Sequence, residues 1–348
     1  MARKNYSNIA IIRLSSLGDI IHTLPALFQL TQHFPRARVN WIVEPAGAEL
    51  LKNFSGIHRI VTFDVKSPDF WQKPRYLKSF LRENRNRYDL IIDFQGLIKS
   101  ALLARLLRGG RGTTLGFARP NLRETQAAWC YQHQIPPLPS TLHVIRKNLA
   151  LLGFLNIRSS EIRYPLIPPD RTPRLREFFQ SHRLESKGFL LYNLGAGFET
   201  KKLPLVTTLD LLERLKKRFP IILLWGNPRE EKTADLLRSR TGVIKSPFWN
   251  FSELIWLIRQ ARILVTADTL ALHLADMTQT PSVSYFGPTD PAVNGSLLPQ
   301  STSVVPPVSC RFCYRRKCDK MECMIRLRAA KLARTIANEY QKAGQPSH

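Results

Sequence analysis

Short apolar runs alternate with amphipathic stretches along the whole chain. In the first half, four apolar runs each lead into a polar turn, and stretches of helical spacing such as PALFQLTQHF and LIKSALLARLL separate some of them. These four runs are NIAIIRL, ARVNWIV, HRIVTFD and YDLIIDF. The second half repeats the alternation with FLLYNLG, PIILLWG, ARILVTAD and SVSYFG. Strands that alternate with helices predict an α/β fold of parallel sheets with crossover helices.

One proline-rich segment, residues 164–173 (YPLIPPDRTP), shows neither the apolar spacing of a helix nor that of a strand. Because proline interrupts both helices and central strands, this segment predicts a domain boundary. The length of 348 residues suits two domains. We therefore expect a first lobe over residues 1–168, a second over residues 169–320, and a final helix within residues 321–348.

The composition is that of a globular protein. Hydrophobic residues make up 44% of the chain, and no apolar run approaches the ~20 residues that a membrane-spanning helix needs. The run IAII near the amino terminus is too short for a secretory signal, so we expect a cytoplasmic protein. A formal net charge of +26, spread over both halves, favours an anionic partner: a nucleic acid, an acidic membrane face or a phosphorylated substrate. Recognisable nucleic-acid-binding motifs are missing, which weighs against the first of these.

The predicted strands of the second half all end in polar or glycine-rich turns. Carboxyl ends of parallel strands share one edge of a sheet, where ligands bind. A lysine near a helix start favours a phosphate, and a carboxylate accepts hydrogen bonds from ribose hydroxyls, so these turns predict a nucleotide site. The third glycine of G-x-G-x-x-G and the P-loop motif are both missing, which argues against a dinucleotide enzyme and a P-loop kinase. The candidate residues are Lys201, Glu230, Asp268, Thr269, which can cap the next helix, and His273, one helical turn further on.

The segment RLSSLGDIIHTLPAL, residues 13–27, places a carboxylate directly after the first predicted strand. Two interpretations of Asp19 are open: it caps the following helix, or it performs chemistry. Ser15 and Ser16 shape the turn and offer hydroxyl or backbone donors.

Six motifs occur in a fixed order along the chain: RLSSLGDIIHTLPAL, DLIIDFQGLIKSALLARLL, KKLP, LLWGNPREE, VTADTLALHLA and YFGPTDP. In this order they resemble the lipopolysaccharide heptosyltransferases, most closely the heptosyltransferase I group. The resemblance implies a GT-B glycosyltransferase with two Rossmann-like parallel-sheet lobes facing a cleft. It also implies an ADP-heptose donor on the second lobe and the Kdo sugar of a lipid A precursor as acceptor on the first. The resemblance further implies that heptose is transferred with inversion and without a metal, and that the final helix crosses back to the first lobe, as it often does in such enzymes.

The resemblance also assigns roles. Asp19 matches the family's catalytic base, which removes the proton of the acceptor hydroxyl. Donor-binding positions are Lys201, Glu230 on the ribose, and the diphosphate motif of Asp268, Thr269 and His273. Acceptor-binding positions are Ser15, Ser16, Arg123, Lys66 and Lys73.

Three positions depart from the family pattern. Ala196 and Gly197 stand where heptosyltransferase I has two threonines, and Leu270 stands where glycine is usual. The two hydroxyl contacts to the diphosphate are therefore either absent or replaced by backbone amides at positions 196 and 197. No D-x-D motif occurs, so cations and helix dipoles have to stabilise the leaving diphosphate.

Several alternatives stay open. Within enzymes, they are heptosyltransferase II or a relative that uses another nucleotide sugar. Outside enzymes, the alternative is a nucleotide-binding or nucleic-acid-binding protein. For a lipid A acceptor, the basic charge predicts peripheral binding to the anionic cytoplasmic face of the inner membrane.

Four cysteines crowd into SCRFCYRRKCDKMEC near the carboxyl terminus. Their spacing, C-x2-C-x4-C-x4-C, permits a structural zinc site or an iron-sulfur cluster, and the alternative is a set of reduced thiols packed near a helix. The four are Cys310, Cys313, Cys318 and Cys323.

Overall fold

The computed structural model describes residues 5–64, 74–110 and 112–344. The chain divides into two compact units, Met1–Pro168 and Pro169–His348. Among the described residues, each unit holds one six-stranded sheet in which all pairings are parallel. The α/β prediction is therefore confirmed for both units.

The sheet of the first unit has the strand order β3-β2-β1-β4-β5-β6. In chain order its strands are β1 (Asn8–Ile12), β2 (Arg38–Val43), β3 (Arg59–Thr62), β4 (Leu90–Asp93), β5 (Thr113–Gly116) and β6 (His133–Gln134). The four predicted strands are β1 to β4. The prediction missed β5 and β6, because the sequences TTLG and HQ contain no apolar run.

The helices of the first unit are α1 (Leu17–His33), α2 (Pro45–Leu51), α3 (Pro74–Asn84), α4 (Ile98–Arg108) and α5 (Val144–Leu151). The predicted helical stretch PALFQLTQHF lies almost entirely in α1, which begins earlier, at Leu17, and runs through Pro25. Proline is typical of a first helical turn. Here the apolar face of α1, which includes the fully buried Ile20, Leu24 and Leu27, favours the longer helix.

The sheet of the second unit has the order β12-β11-β10-β7-β8-β9. Its strands are β7 (Leu190–Asn193), β8 (Ile221–Leu224), β9 (Ile244–Lys245), β10 (Ile263–Ala267), β11 (Ser282–Tyr285) and β12 (Thr302–Val304). The four central strands were predicted. The two edge strands were missed because they are short and partly polar, as edge strands commonly are.

The helices of the second unit are α6 (Pro173–Ser181), α7 (Leu205–Leu215), α8 (Pro228–Thr241), α9 (Phe251–Gln260), α10 (Leu270–Met277), α11 (Pro291–Asn294), α12 (Glu322–Ile325) and α13 (Ala329–Lys342). The predicted final helix is thus interrupted at residues 326–328. Its longer part, α13, packs against α7, and the Tyr340 hydroxyl donates to the Gly188 carbonyl at 2.8 Å. In the described ranges no helix has both the length and the apolar character of a membrane span.

Candidate active site

Asp19 lies in the first turn of α1, three residues after the N-cap Ser16. Its Oδ2 accepts hydrogen bonds from the Ser16 backbone N–H at 3.2 Å and from the Ser16 hydroxyl at 2.9 Å. The backbone contact is the one that an acidic residue makes in a capping box. The Asp19 carboxylate is still accessible despite this capping contact, because 36% of the side chain is exposed. The carboxylate therefore stabilises the helix start and still faces solvent.

Sequence reasoning missed Arg13, which directly follows β1. Its Nη2 lies 2.7 Å from Asp19 Oδ1, and its Nη1 donates to the Phe94 carbonyl. The side chain is buried. His22 Nδ1 lies 4.0 Å from the same oxygen of Asp19. One feature of the sequence could have indicated Arg13: it stands at the end of the apolar run NIAIIRL. A charged residue that is buried there needs a partner of opposite charge.

The turn after β4 holds the neighbouring backbone in place. Gln95 Oε1 accepts the N–H groups of Leu14 at 3.0 Å and Ser15 at 3.2 Å. Asp93 in turn accepts the Gln95 N–H at 2.8 Å and the Tyr131 hydroxyl at 2.7 Å. Burial raises the pKa of the Asp93 carboxyl, and the Tyr131 hydrogen bond opposes the rise. The segment that leads into Asp19 is thus tied to a buried network.

The remaining predicted acceptor positions differ in surroundings. Ser15 is half-buried, whereas Ser16 and Arg123 are exposed. Lys66 and Lys73 lie outside the described residues.

Lys147 on α5 is a second cation that the sequence did not indicate. Its Nζ donates to the Asn121 carbonyl at 2.8 Å and lies 4.8 Å from the centre of the Phe117 ring. Burial lowers the pKa of Lys147, and the nearby charge of Arg13 lowers it further. Positive charge is therefore concentrated close to Arg13.

In the second unit, the predicted residues Lys201, Asp268 and His273 come together. Lys201 Nζ lies 2.6 Å from Asp268 Oδ2 and donates to the Asp268 carbonyl at 3.1 Å. His273 Nε2 lies 3.6 Å from Asp268 Oδ1. Burial acts to raise the pKa of Asp268, but the His273 hydrogen bond and the Lys201 charge outweigh it and lower the pKa to about 2. The carboxylate thus holds two nitrogen donors at the end of β10.

Thr269 occupies the N-cap position of α10, but its side chain does not cap the helix. Its Oγ1 lies 2.9 Å from Thr266 Oγ1 and accepts from Asn193 Nδ2 at 3.2 Å. Asn193, at the end of β7, also donates to Thr266 Oγ1 at 3.0 Å. Thr269 therefore occupies the expected cap position without a capping hydrogen bond from its side chain, and Asn193 is a contact of its hydroxyl that sequence reasoning missed.

Glu230 lies near the start of α8 and is buried. Its Oε2 accepts the Gly226 N–H at 2.9 Å, and its Oε1 lies 3.7 Å from Lys202 Nζ. A Cβ added at Gly195 would lie 3.2 Å from Oε2, so the absence of a side chain there lets the turn after β7 approach the carboxylate. Glu230 thereby joins the ends of β7 and β8.

The turn after β7 also carries Ala196 and Gly197, two of the three positions at which the sequence departs from the family resemblance. Ala196 is half-buried and Gly197 is exposed. Beside them, Lys201 Nζ lies 4.7 Å and the Arg316 guanidinium 5.9 Å from the centre of the Phe198 ring. Arg316 belongs to the cysteine-rich segment, which therefore reaches the neighbourhood of Lys201.

The four cysteines of that segment are free thiols. Cys323 is buried, Cys318 is half-buried, and Cys310 and Cys313 are exposed. Burial raises the pKa of Cys323, and the other three thiols raise it further, so they are neighbours of Cys323. Across the described ranges, no group of three or more histidines, cysteines or acidic residues is arranged to hold a metal ion. The zinc alternative stays a prediction.

Comparison with known proteins assigns the chain to a protein family. The model of glycosyltransferase family 9 (heptosyltransferase) matches residues 77–324. The chain belongs to this family. The lipopolysaccharide heptosyltransferase 1 of Pseudomonas aeruginosa is 27% identical over 319 residues, which cover 89% of this chain and 87% of that protein. The predicted enzyme class, a glycosyltransferase of the heptosyltransferase family, is confirmed.

Two solved heptosyltransferase structures show the same architecture. Escherichia coli heptosyltransferase WaaC with ADP has a TM-score of 0.75 at 22% identity, covering 95% of this chain and 99% of that one. E. coli ADP-heptose lps heptosyltransferase II has a TM-score of 0.75 at 15% identity, covering 97% and 100%. Together with the two parallel sheets, this likeness confirms the predicted GT-B fold class.

A buried carboxyl next to the Asp268 cluster gives this family 9 enzyme a pH-dependent stability. Asp276 on α10 accepts hydrogen bonds from the Ser296 hydroxyl and, at 3.3 Å, from the Leu297 N–H. Burial raises the pKa of Asp276 to about 6, and the Ser296 hydrogen bond opposes the rise. The native state therefore binds the proton of this carboxyl more tightly than the unfolded chain does.

The neutral Asp276 carboxyl stabilises the fold fully below the unfolded pKa of about 3.9, and this contribution is lost as the pH rises through about 6. Asp276→Asn stays neutral at every pH. We expect it to raise the free energy of unfolding by roughly 1–3 kcal/mol at pH 8, but by only about a third of that gain at pH 4.5, which lies between the unfolded and folded pKa values. Urea unfolding at both pH values measures this difference, with the exposed Asp170→Asn as control. An equal gain at both pH values would contradict the prediction.

The zinc hypothesis for the four clustered cysteines predicts one metal equivalent per chain in purified protein. Elemental analysis for zinc and iron measures it directly, and Cys313→Ser should lower the content because a tetrahedral thiolate site needs all four ligands. The remaining cysteine, Cys130, lies in the first unit, so Cys130→Ser serves as the matched control and should change nothing. Metal below about a tenth of an equivalent in the wild type would end the hypothesis.

Proposed function

We propose that this family 9 enzyme transfers heptose from ADP-heptose to the Kdo sugar of a lipid A precursor, in the synthesis of the lipopolysaccharide inner core. The transfer inverts the anomeric carbon and needs no metal. The observation that carries the proposal is the Lys201–Asp268–His273 cluster at the carboxyl edge of the second sheet, in a chain of the heptosyltransferase family. Its similarity to relatives such as lipopolysaccharide heptosyltransferase 1 supports the substrate class.

The donor diphosphate fits the Asp268 cluster. An ammonium group has three N–H donors, and Asp268 accepts two of those on Lys201, so one is left for a phosphate oxygen. The amino terminus of α10 adds its dipole, and Thr269 adds a hydroxyl that Asn193 orients. Glu230 accepts hydrogen bonds from the ribose.

These groups can replace a metal. The diphosphate gains negative charge as it leaves, and preorganised cations stabilise that charge without reorganising. Lys201 and Arg316 supply fixed positive charge around Phe198. The sequence contains no D-x-D motif that would hold a divalent ion for this purpose.

Backbone amides take over from the missing threonine hydroxyls at the turn after β7. A Cβ added at Gly197 would meet no described atom within 4 Å, so this turn borders open space in which a phosphate can approach the main chain. Ala196 and Gly197 then donate through their N–H groups, as anion-binding turns do.

Asp19 is the general base of the proposed reaction. It takes the proton of the acceptor hydroxyl as that oxygen attacks the anomeric carbon, while ADP departs from the opposite face. Ser15 and Ser16 position the acceptor sugar. The Kdo carboxylates pair with Arg123 and with Lys66 and Lys73, because a guanidinium matches a carboxylate with two parallel hydrogen bonds and an ammonium supplies a point charge.

The test is transfer of radiolabelled heptose from ADP-heptose to Kdo-bearing lipid A by the full chain. Asp19→Asn keeps an amide oxygen for the Ser16 N–H but cannot accept the proton, so we expect kcat to fall by about 10²–10⁴-fold. ADP affinity, measured by calorimetry, should stay unchanged because a base acts on the transition state. The exposed Asp170→Asn is the control. Full turnover by Asp19→Asn would remove the base assignment, and no transfer by the wild type would remove the proposed reaction.

A different nucleotide sugar or an acceptor that already carries one heptose is the second candidate. The residues Ala196, Gly197 and Leu270, which differ from those that the resemblance to heptosyltransferase I implies, favour it. The same assay with ADP-glucose, UDP-sugars and a heptosylated acceptor separates these possibilities, since the preferred pair has the highest kcat/KM.

We further propose that the first unit binds the anionic cytoplasmic face of the inner membrane. Ile98 and Leu102, one turn apart on α4, are exposed, and the packed neighbouring segment Thr125–Cys130 exposes 69% of Trp129. α4 carries basic residues, Arg105 among them, and no acidic residue. Apolar side chains and an indole beside basic charge are typical of an interfacial membrane surface.

Cosedimentation with phosphatidylcholine vesicles, with and without phosphatidylglycerol, tests this surface. Leu102→Glu should weaken binding to anionic vesicles by about five-fold or more, because it removes apolar area and adds a repelled charge. Val206→Glu is the matched control, since Val206 is 78% exposed on α7 of the second unit. An equal loss in both variants, or tighter binding to duplex DNA than to vesicles at the same salt, would contradict the proposal.

A further inference from the structure

Neighbouring strands hold Arg13 in place through hydrogen bonds to both its main chain and its side chain. The parallel register sets Ile12 beside Ile42 in β2 and beside Asp93 in β4. The next residue therefore lies beside both strand ends: the Arg13 N–H donates to the Ile42 carbonyl at 3.3 Å, and its carbonyl accepts the Trp41 indole N–H at 3.2 Å. The guanidinium is fixed further by the Phe94 carbonyl.

This anchored guanidinium reaches Asp19 across the start of α1. The 2.7 Å contact between Arg13 Nη2 and Asp19 Oδ1 is an ion pair between a buried cation and a partly exposed carboxylate. Ser16 holds the other oxygen of the carboxylate at 2.9 Å. Each carboxylate oxygen can accept two hydrogen bonds, and Oδ2 already accepts two from Ser16, so Oδ1 is the oxygen that keeps capacity for a substrate proton. Two fixed partners on two oxygens determine which way the plane of the carboxylate faces.

The pair is arranged poorly for stability alone. Arg13 Nε is buried and has no hydrogen-bond partner among the described residues. A buried charged group with an unpaired N–H destabilises a fold, and apolar side chains of similar size often serve a buried position better. The presence of an arginine at this position is explained if its guanidinium orients the Asp19 carboxylate and places a positive charge beside it.

We propose that Arg13 is a positioning residue of the transfer reaction, which orients the Asp19 carboxylate toward the acceptor hydroxyl and remains charged while that carboxylate gains a proton. This inference rests on the proposed role of Asp19 as base. A guanidinium suits the task because it stays protonated throughout the pH range of enzymes and presents donors in a rigid plane.

The first test is the kinetics of Arg13 variants with ADP-heptose and Kdo-bearing lipid A. Arg13→Met should lower kcat by about 10–100-fold and leave KM for ADP-heptose within about two-fold, because positioning of the base acts in the transition state. Arg13→Lys keeps the charge without the planar fork and should recover part of the loss. ADP affinity and far-UV circular dichroism check that both variants fold. A KM increase at unchanged kcat, or a Lys variant as slow as the Met variant, would contradict the inference.

Chemical rescue distinguishes a missing guanidinium from a damaged fold. Arg13→Ala leaves a cavity beside Asp19, and millimolar guanidinium in the assay should restore part of kcat. Urea has nearly the same shape without the charge, so it is the matched control and should restore nothing. Equal responses to the two compounds would count against Arg13.

A double-mutant cycle separates this inference from the proposed function. If Arg13 acts through Asp19, adding Arg13→Met to Asp19→Asn should lower kcat no further. A further ten-fold loss would assign Arg13 a role independent of Asp19. Full activity of Asp19→Asn alone would instead overturn the base assignment, and an inactive wild type would overturn the reaction itself.

Discussion

Parallel strand pairing is the constraint on which both polar clusters depend. In a parallel sheet every strand delivers its carboxyl end to the same edge, so residues far apart in sequence become neighbours there. In the first unit this edge brings Arg13, after β1, next to Phe94, after β4. In the second unit it brings Asn193, after β7, next to Thr269, after β10.

Buried charge at each edge is held in pairs. Lys201 and Asp268 neutralise each other at 2.6 Å, and Arg13 meets Asp19 at 2.7 Å. An isolated charge in such a place would be strongly destabilising, whereas a paired one can remain ionised in a largely apolar surrounding. Ion pairing keeps these cations and carboxylates charged and fixed in position before any substrate binds. Such preorganised charges can stabilise a reacting group without having to rearrange.

The predictions succeeded where a local pattern was strong and failed where tertiary contacts decide. Four strands of each sheet were predicted because strands covered on both faces need continuous apolar runs, whereas the interior strand β5 was missed because its sequence TTLG contains no such run. The edge strand β9 was missed, since its two residues carry no period. Thr269 was expected to cap α10, but Asn193 and Thr266 compete for its hydroxyl, and that competition depends on where β7 lies.

The sequence by itself determined the α/β class, the two-part organisation and, through motifs in a fixed order, the enzyme family. It also marked Lys201, Asp268 and His273 as candidates, because each stands in a motif of that family. Only the tertiary structure decided which groups touch them and added Arg13, Lys147 and Asn193 to the sites. The reason is physical. Apolar periodicity is a local property that can be read from consecutive residues, whereas these ion pairs and hydrogen bonds form between segments that meet only after the strands have paired.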